Sequence, residues 1–195
     1  MGGCALAYVV EMGAAGIAVD VDRLAFIRDA SQADTDRCGE KLRDALGNPE
    51  LNPSSPLQLL AALRENGMTL DSTREEVLKA NDDGQLVPLI LGYRGAQKRA
   101  QQAVSLLDHV RSDGRIHARF EPTGTATGRF SAKEPNLQNV GRGELRTAFA
   151  APDGRCLVVA DYSQIELRAA AAIAGERKMI ASYEAGEDLH RKTAA

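Results

Sequence analysis

Asp161 stands where a short apolar run, Cys156-Leu157-Val158-Val159-Ala160, gives way to Tyr162-Ser163-Gln164 and an Ala-rich segment. The run reads as a buried strand and the later segment as a helix. A carboxylate at the end of a buried strand is well placed to hold a metal. Mg²⁺ suits it, because that ion takes hard oxygen ligands, with one or two carboxylates completed by substrate phosphates. Two such ions about 3.5–4 Å apart clamp the attacking and leaving oxygens of an in-line phosphoryl displacement. The same residues have a local reading. Ser163-x-x-Glu166 is a capping box, and Asp161 favours the positive N-terminus of the helix that follows. Capping and catalysis are compatible. The sequence offers no obvious second carboxylate.

A second constellation lies upstream. Residues 121–144 are rich in Gly, Thr, Pro and Asn and read as a long ordered loop, a kind of segment that is usually functional or disordered. It contains the string Thr-Gly-Thr-Ala-Thr-Gly-Arg from Thr123 to Arg129, followed by Pro135-Asn136-Leu137-Gln138-Asn139. Taken alone, the glycines and threonines indicate only a tight loop.

Together the two strings resemble the family A (polymerase-I-like) DNA polymerases. Asp161 to Arg168 matches motif A of that family throughout, and Thr123 to Asn139 matches its primer-template track. The resemblance implies an α+β fold, a multi-helical thumb followed by the first part of a right-hand palm. It implies that Asp161 is one of two carboxylates holding paired Mg²⁺ ions, with the Tyr162 carbonyl as a further ligand. Glu166 would pack under the incoming sugar and exclude a ribose 2′-hydroxyl. Gln164 and Arg168 would lie near the primer terminus and bound nucleotide. Thr123, Arg129, Asn136, Gln138 and Asn139 would line the duplex, where the minor groove shows acceptors almost irrespective of pair orientation, so that donors check geometry without reading sequence. Tyr93-Arg94-Gly95-x-x-Lys98 resembles the end of the thumb, with Arg94 and Lys98 on the DNA backbone; spacing alone makes the pair an exposed basic face. Gly186 to His190 resembles the start of the fingers, with His190 at the triphosphate. His109 and His117 have no such role; His117 reads as structural.

The elements that must position these residues follow from pattern and punctuation. Asp22 is a candidate N-cap for a helix to about Leu46, ended by Gly47-Asn48-Pro49; Ser55-Pro56 starts another to Glu65. Ser72 or Thr73 caps a short helix to Ala80. A long helix from Val87 to Val110 carries Leu89, Tyr93, Ala96, Ala100, Ala103, Leu107 and Val110 at three- and four-residue spacing. Beyond Ser112-Asp113-Gly114 the character changes: Arg115 to Phe120 alternates as one strand, and the strand ending at Asp161 follows Pro152-Asp153-Gly154. Residues 1–112 are therefore expected to form a helical thumb-like subdomain, and residues 113–195 a partial palm with the start of the fingers.

Composition bounds the partners. The 195 residues are 44% hydrophobic and 26% charged, ordinary for a globular chain. No apolar run reaches the roughly 18–20 residues of a membrane span, and the first residues lack a basic n-region. Cys4, Cys38 and Cys156 have no zinc spacing; Cys156 reads as a small core residue, and a cytoplasmic location is expected. Net charge is −3, yet residues 87–150 carry 10 basic and 5 acidic side chains against 8 and 15 in residues 1–86. Such a basic segment is a footprint for phosphates or a solvated helix face.

The resemblance covers nearly the whole chain, loosely over 5–112 and tightly over 115–139 and 155–193. It departs between Asn139 and Phe149, where the family's stretch is longer and more basic. It implies that the fingers helix and the His-Asp-Glu motif with the second carboxylate lie beyond Ala195. The chain alone is thus expected not to polymerise. The implied partners are primer-template DNA, deoxynucleoside triphosphates and a separate C-terminal polymerase chain, with no membrane. The alternatives are a non-catalytic primer-template binding module or a remnant.

Overall fold

The computed structural model describes residues 2–152 and 154–189. They form two compact units, Met1–Cys156 and Leu157–Ala195. The fold is α+β, dominated by helices with two small antiparallel ladders.

The first unit is organised by two long helices, α2 (Val21–Ala45) and α5 (Leu86–Leu107). Asp20 rather than Asp22 caps α2: its carboxylate accepts the Arg23 N–H at 2.8 Å, which leaves Asp22 to favour the dipole from inside the first turn. The helices are antiparallel, as their core residues show. Leu24 and Ile27 of α2 share one cluster with Ala103 and Leu106 of α5, whereas Leu42 shares the other with Val87 and Ile90. Between these ends small residues face the pair, Ser31, Thr35 and Gly39 on α2 and Ala96 and Ala100 on α5. The buried Thr35 hydroxyl is satisfied within its own helix by the Ser31 carbonyl at 2.8 Å.

The outer cluster is closed by α3 (Pro56–Glu65) and α4 (Glu75–Ala80), which contribute Leu59, Leu63 and Leu78. Each is fully buried and stabilises the cluster by roughly 1.5–3 kcal/mol of apolar transfer. The Ser55 hydroxyl caps α3, as its sequence indicates, but α4 has no side-chain cap; its N-cap is Arg74, not Ser72 or Thr73. The inner cluster lies under β1 (Ile17–Ala18) and β2 (Arg115–Ile116), which pair antiparallel.

Three further sequence expectations are corrected. The stretch from Arg115 to Phe120 is two strands. After β2 the chain passes through His117 and Ala118 into β3 (Arg119–Glu121), which pairs with β4 (Ser131–Lys133) in a separate ladder. The break is where the His117 ring turns aside, its two nitrogens facing the acceptor oxygens Gly13 O (3.0 Å) and Asp113 Oδ2 (2.9 Å). Its ring lies so close to Gly16, 2.8 Å from where a Cβ would stand, that only glycine fits there, in a left-handed conformation. His117 thereby ties the end of α1 (Gly2–Ala15) to the turn before β2.

Second, residues 156–160 are not a strand. No neighbouring strand lies alongside them among the described residues, and a ladder cannot form without one. Leu157, Val158 and Val159 are 51%, 85% and 93% exposed, and Cys156 is exposed rather than in a core. Third, the capping box does not start the next helix. In the second unit α6 (Ile165–Ala174) begins after Gln164, which is left-handed and makes no side-chain cap. Gly175 closes α6 in the left-handed conformation typical of helix ends. The Glu176 carboxylate then caps α7 (Arg177–Glu184) through the Lys178 N–H. No helix among the described residues is long and apolar enough to cross a membrane.

Candidate nucleic-acid interface and motif A carboxylate

The β3–β4 hairpin presents the loop 123–130 to solvent. Thr123 and Arg129 are exposed, as are Asn136, Gln138 and Asn139 just beyond β4. At the base of the loop Glu121 takes Lys133 at 2.7 Å and Arg119 at 3.3 Å. The hydrogen bond from Lys133 holds the Glu121 carboxyl below its ordinary range. Arg119 and Lys133 are therefore engaged with the hairpin's own acids, and part of the basic excess in this segment is spent internally.

Within the loop Thr125 Oγ1 accepts the Arg129 N–H at 2.9 Å and donates to the Arg129 carbonyl at 3.0 Å. Gly128, left-handed, returns its N–H to the Thr125 carbonyl at 3.1 Å. Gly124 passes so close to Ser131 that a Cβ would collide with its hydroxyl. The turn at 136–139 is ordered in the same economical way. Asn136 Oδ1 accepts the Gln138 N–H, and Gln138 Nε2 reaches back 3.0 Å to the Phe130 carbonyl. Gln102 of α5 donates to the Asn139 carbonyl at 2.8 Å. Loop, turn and helix are thus joined, and Arg129, Asn136, Gln138 and Asn139 are brought together on one exposed surface of the first unit.

Arg94, Lys98 and Gln102 recur every four residues on α5, a stripe about 12 Å long at 1.5 Å per residue. Lys98 is exposed. The Arg94 guanidinium, in contrast, is held by the carbonyl and hydroxyl of buried Thr73. It fastens α5 to the strand of chain before α4. Gln102 and Thr125 have no prominence in the sequence. A glutamine on a helix flank and one threonine among three acquire their roles only through partners 37 and 4 residues away.

In the second unit Asp161 and Tyr162 are exposed, ahead of α6. Gln164 Nε2 donates to Asp188 Oδ1 at 3.2 Å, and Arg168 Nε donates to the Ser163 carbonyl at 2.9 Å. The Arg168 guanidinium also lies over the Tyr183 ring, 4.4 Å from its centre, a cation–π contact. Arg168 braces the turn behind Asp161 against α7, and Gln164 braces it against the segment that follows. Glu166 lies in the first turn of α6. His190 lies outside the described residues. Among the described residues no group of three or more His, Cys, Asp or Glu could hold a metal. Asp161 offers one carboxylate, and these donors do not by themselves make a two-ion site.

The comparisons define the class. The model of DNA polymerase family A matches residues 21–195, and the chain belongs to that family. It is 34% identical over 206 residues to DNA polymerase I of Mycobacterium tuberculosis, covering 93% of this chain and 22% of that protein. It is 37% identical over 202 residues to DNA polymerase I of Bacillus subtilis, covering 94% and 23%. It is also 31% identical over 195 residues to that of Aquifex aeolicus, covering 96% and 33%. The chain thus spans between about a fifth and a third of these relatives. Among solved structures it is similar to the polymerase domain of Pol1 from M. smegmatis in complex with DNA primer-template and dNTP. The TM-score is 0.83 and the identity 32%, over 93% of this chain and 35% of that one.

Proposed function

We propose that this chain forms the thumb and first palm segment of a DNA-directed DNA polymerase and that its own contribution is to grip primer-template DNA. The boundary between the two parts lies near residue 112. The observation that carries this is the joining of the 123–130 loop, the 136–139 turn and the α5 stripe into one exposed surface, in the fold of a polymerase domain whose solved relative is complexed with DNA primer-template and dNTP. Arg129, Asn136, Gln138 and Asn139 contact the duplex there, Thr123 lies at the loop's start, and Lys98 meets the backbone. Arg94 acts by holding α5 in place beside them. In motif A, Asp161 and the Tyr162 carbonyl offer oxygen ligands to Mg²⁺, with Gln164, Glu166, Arg168 and His190 around the nucleotide. Mg²⁺ there would polarise phosphate oxygens once further carboxylates join Asp161. With Asp161 as its one metal-holding carboxylate among the described residues, the chain by itself binds DNA without extending it.

The test is anisotropy of a labelled primer-template duplex titrated with the chain across a salt series. Affinity should fall linearly on a log–log plot, by about 0.9 in slope per phosphate contacted. Arg129→Ala should weaken binding by about 1.5–3 kcal/mol, the worth of a hydrogen bond from a charged donor. Absence of binding at low salt would sink the reading. Mg²⁺-dependent extension by the purified chain, lost in Asp161→Ala, would refute its second half.

A further inference from the structure

We propose that Thr125 is a positioning residue for DNA binding: its hydroxyl clasps the main chain of Arg129 at both polar groups and so fixes where that side chain leaves the loop. The inference rests on the reading of Arg129 as a duplex contact.

A threonine hydroxyl has one hydrogen to give and two lone pairs to receive with. Thr125 uses all three. Its hydrogen goes to the Arg129 carbonyl at 3.0 Å; its lone pairs accept the Arg129 N–H at 2.9 Å and the Thr127 hydroxyl at 3.2 Å. The Thr125 carbonyl closes the same ring by accepting the Gly128 N–H. The five residues 125–129 are therefore a closed cycle with Arg129 at its exit. Neither end of the Arg129 peptide can rotate without breaking a bond to one oxygen atom. Residues 123–130 are all exposed and none belongs to a core cluster, so the 125–129 cycle is ordered by hydrogen bonding rather than by burial. A loop held by burial would tolerate loss of a hydroxyl; this one is held by it. Ordering a contact before binding removes an entropic cost from association, so the clasp acts on affinity while adding little to global stability.

Three variants of the 195-residue chain test this, Thr125→Val, Thr125→Ser and Arg129→Ala, with Thr125→Val also combined with Arg129→Ala. In the free chain, amide exchange of Arg129 should quicken about fivefold in Thr125→Val and stay near wild type in Thr125→Ser, as expected for losing one net hydrogen bond. Primer-template affinity should drop about fivefold in Thr125→Val, by the same single-bond reasoning, and recover in Thr125→Ser. In the Arg129→Ala background Thr125→Val should cause no further loss, since the two act as one unit. Unchanged Arg129 exchange in Thr125→Val overturns the clasp. Faster exchange with full affinity, or an undiminished loss in the Arg129→Ala background, overturns its role in positioning. If Arg129→Ala itself binds as wild type, the duplex contact fails, and the proposal falls with it for that separate reason.

Discussion

Arg94 and Lys98 sit one turn apart on the same helix, and the sequence treats them alike. Their surroundings separate them. Arg94 is bonded to the carbonyl and hydroxyl of Thr73, a buried residue just before α4, whereas Lys98 is exposed. Charge-assisted hydrogen bonds contribute about 1.5–3 kcal/mol, and removing the donor strands a partner. Arg94→Ala should therefore lower the urea midpoint by a corresponding amount. Lys98→Ala should stay within about 0.5 kcal/mol in stability and instead reduce the salt slope of DNA binding by about one. The reverse pattern would move the backbone contact from Lys98 to Arg94. Asp83 makes a similar distinction through pH. Burial pushes its carboxyl up, but the backbone N–H groups of Val87, Gln85 and Leu86 together hold it below its ordinary value. A depressed folded value means that the stabilisation is present above the unfolded carboxylate range, about pH 4, and is lost as pH falls through the lower folded value. Asp83 caps the start of α5 at 3.0 Å from the Val87 N–H. Asp83→Ala should cost about 1 kcal/mol at neutral pH. Its difference from wild type should shrink on acidification; a gap that widens instead would contradict this assignment.

At the scale of elements, the antiparallel pair α2–α5 sets the first unit, and its closeness depends on small side chains. Ala103 is fully buried where the two helices meet the β1–β2 ladder. Ala103→Leu adds volume with no void to receive it and should destabilise the unit by about 1–3 kcal/mol in chemical denaturation; a neutral effect would mean that the helices can part there without penalty. The inward face of α5 was legible in the sequence, because Tyr93, Ala96, Ala100 and Ala103 lie on one helical stripe, whereas its pairing with α2 was not. The stripe's ends were not: Val87, Ile90 and Leu106 are buried where the spacing pointed to Leu89 and Leu107. A single-helix pattern does not say how the partner crosses, and the crossing decides which neighbour is covered. The recognisable strings were legible for the opposite reason. Arg129 and Asp161 are marked by residue type in a fixed order, which needs no knowledge of packing. What that order cannot reveal is support. Thr125, Gln102 and the Thr73–Arg94 tie act through partners that only the fold brings together. The apolar run at 156–160 shows the limit from the other side, since its composition is that of a strand but strand formation depends on a neighbour that local sequence does not contain.

At the scale of the whole molecule the two units differ in what holds them. The first has two apolar clusters built on α2 and α5. The second, over its described residues, has a short helical pair braced by Arg168 and Gln164, with Leu157, Val158, Val159, Ile165 and Ile173 exposed. Regions with few buried apolar contacts open at low free energy, and core helices open only near the global limit. Hydrogen exchange followed residue by residue should therefore separate them. Amides of α5 around Ile90 and Ala103 should be the slowest, those of α6 and α7 should exchange orders of magnitude faster, and those from 157 to 163 should exchange close to the rate of an unstructured chain. The consequence reaches function, because Asp161 lies within that last stretch. A carboxylate on unpaired backbone is not held to the roughly 0.5 Å that productive metal geometry requires. The DNA grip proposed for the first unit should therefore persist under conditions in which motif A is still unordered. Protection at 157–160 as strong as in α5 would contradict this, since it would mean that the apolar run is hydrogen-bonded to a strand and that Asp161 is already fixed at its end.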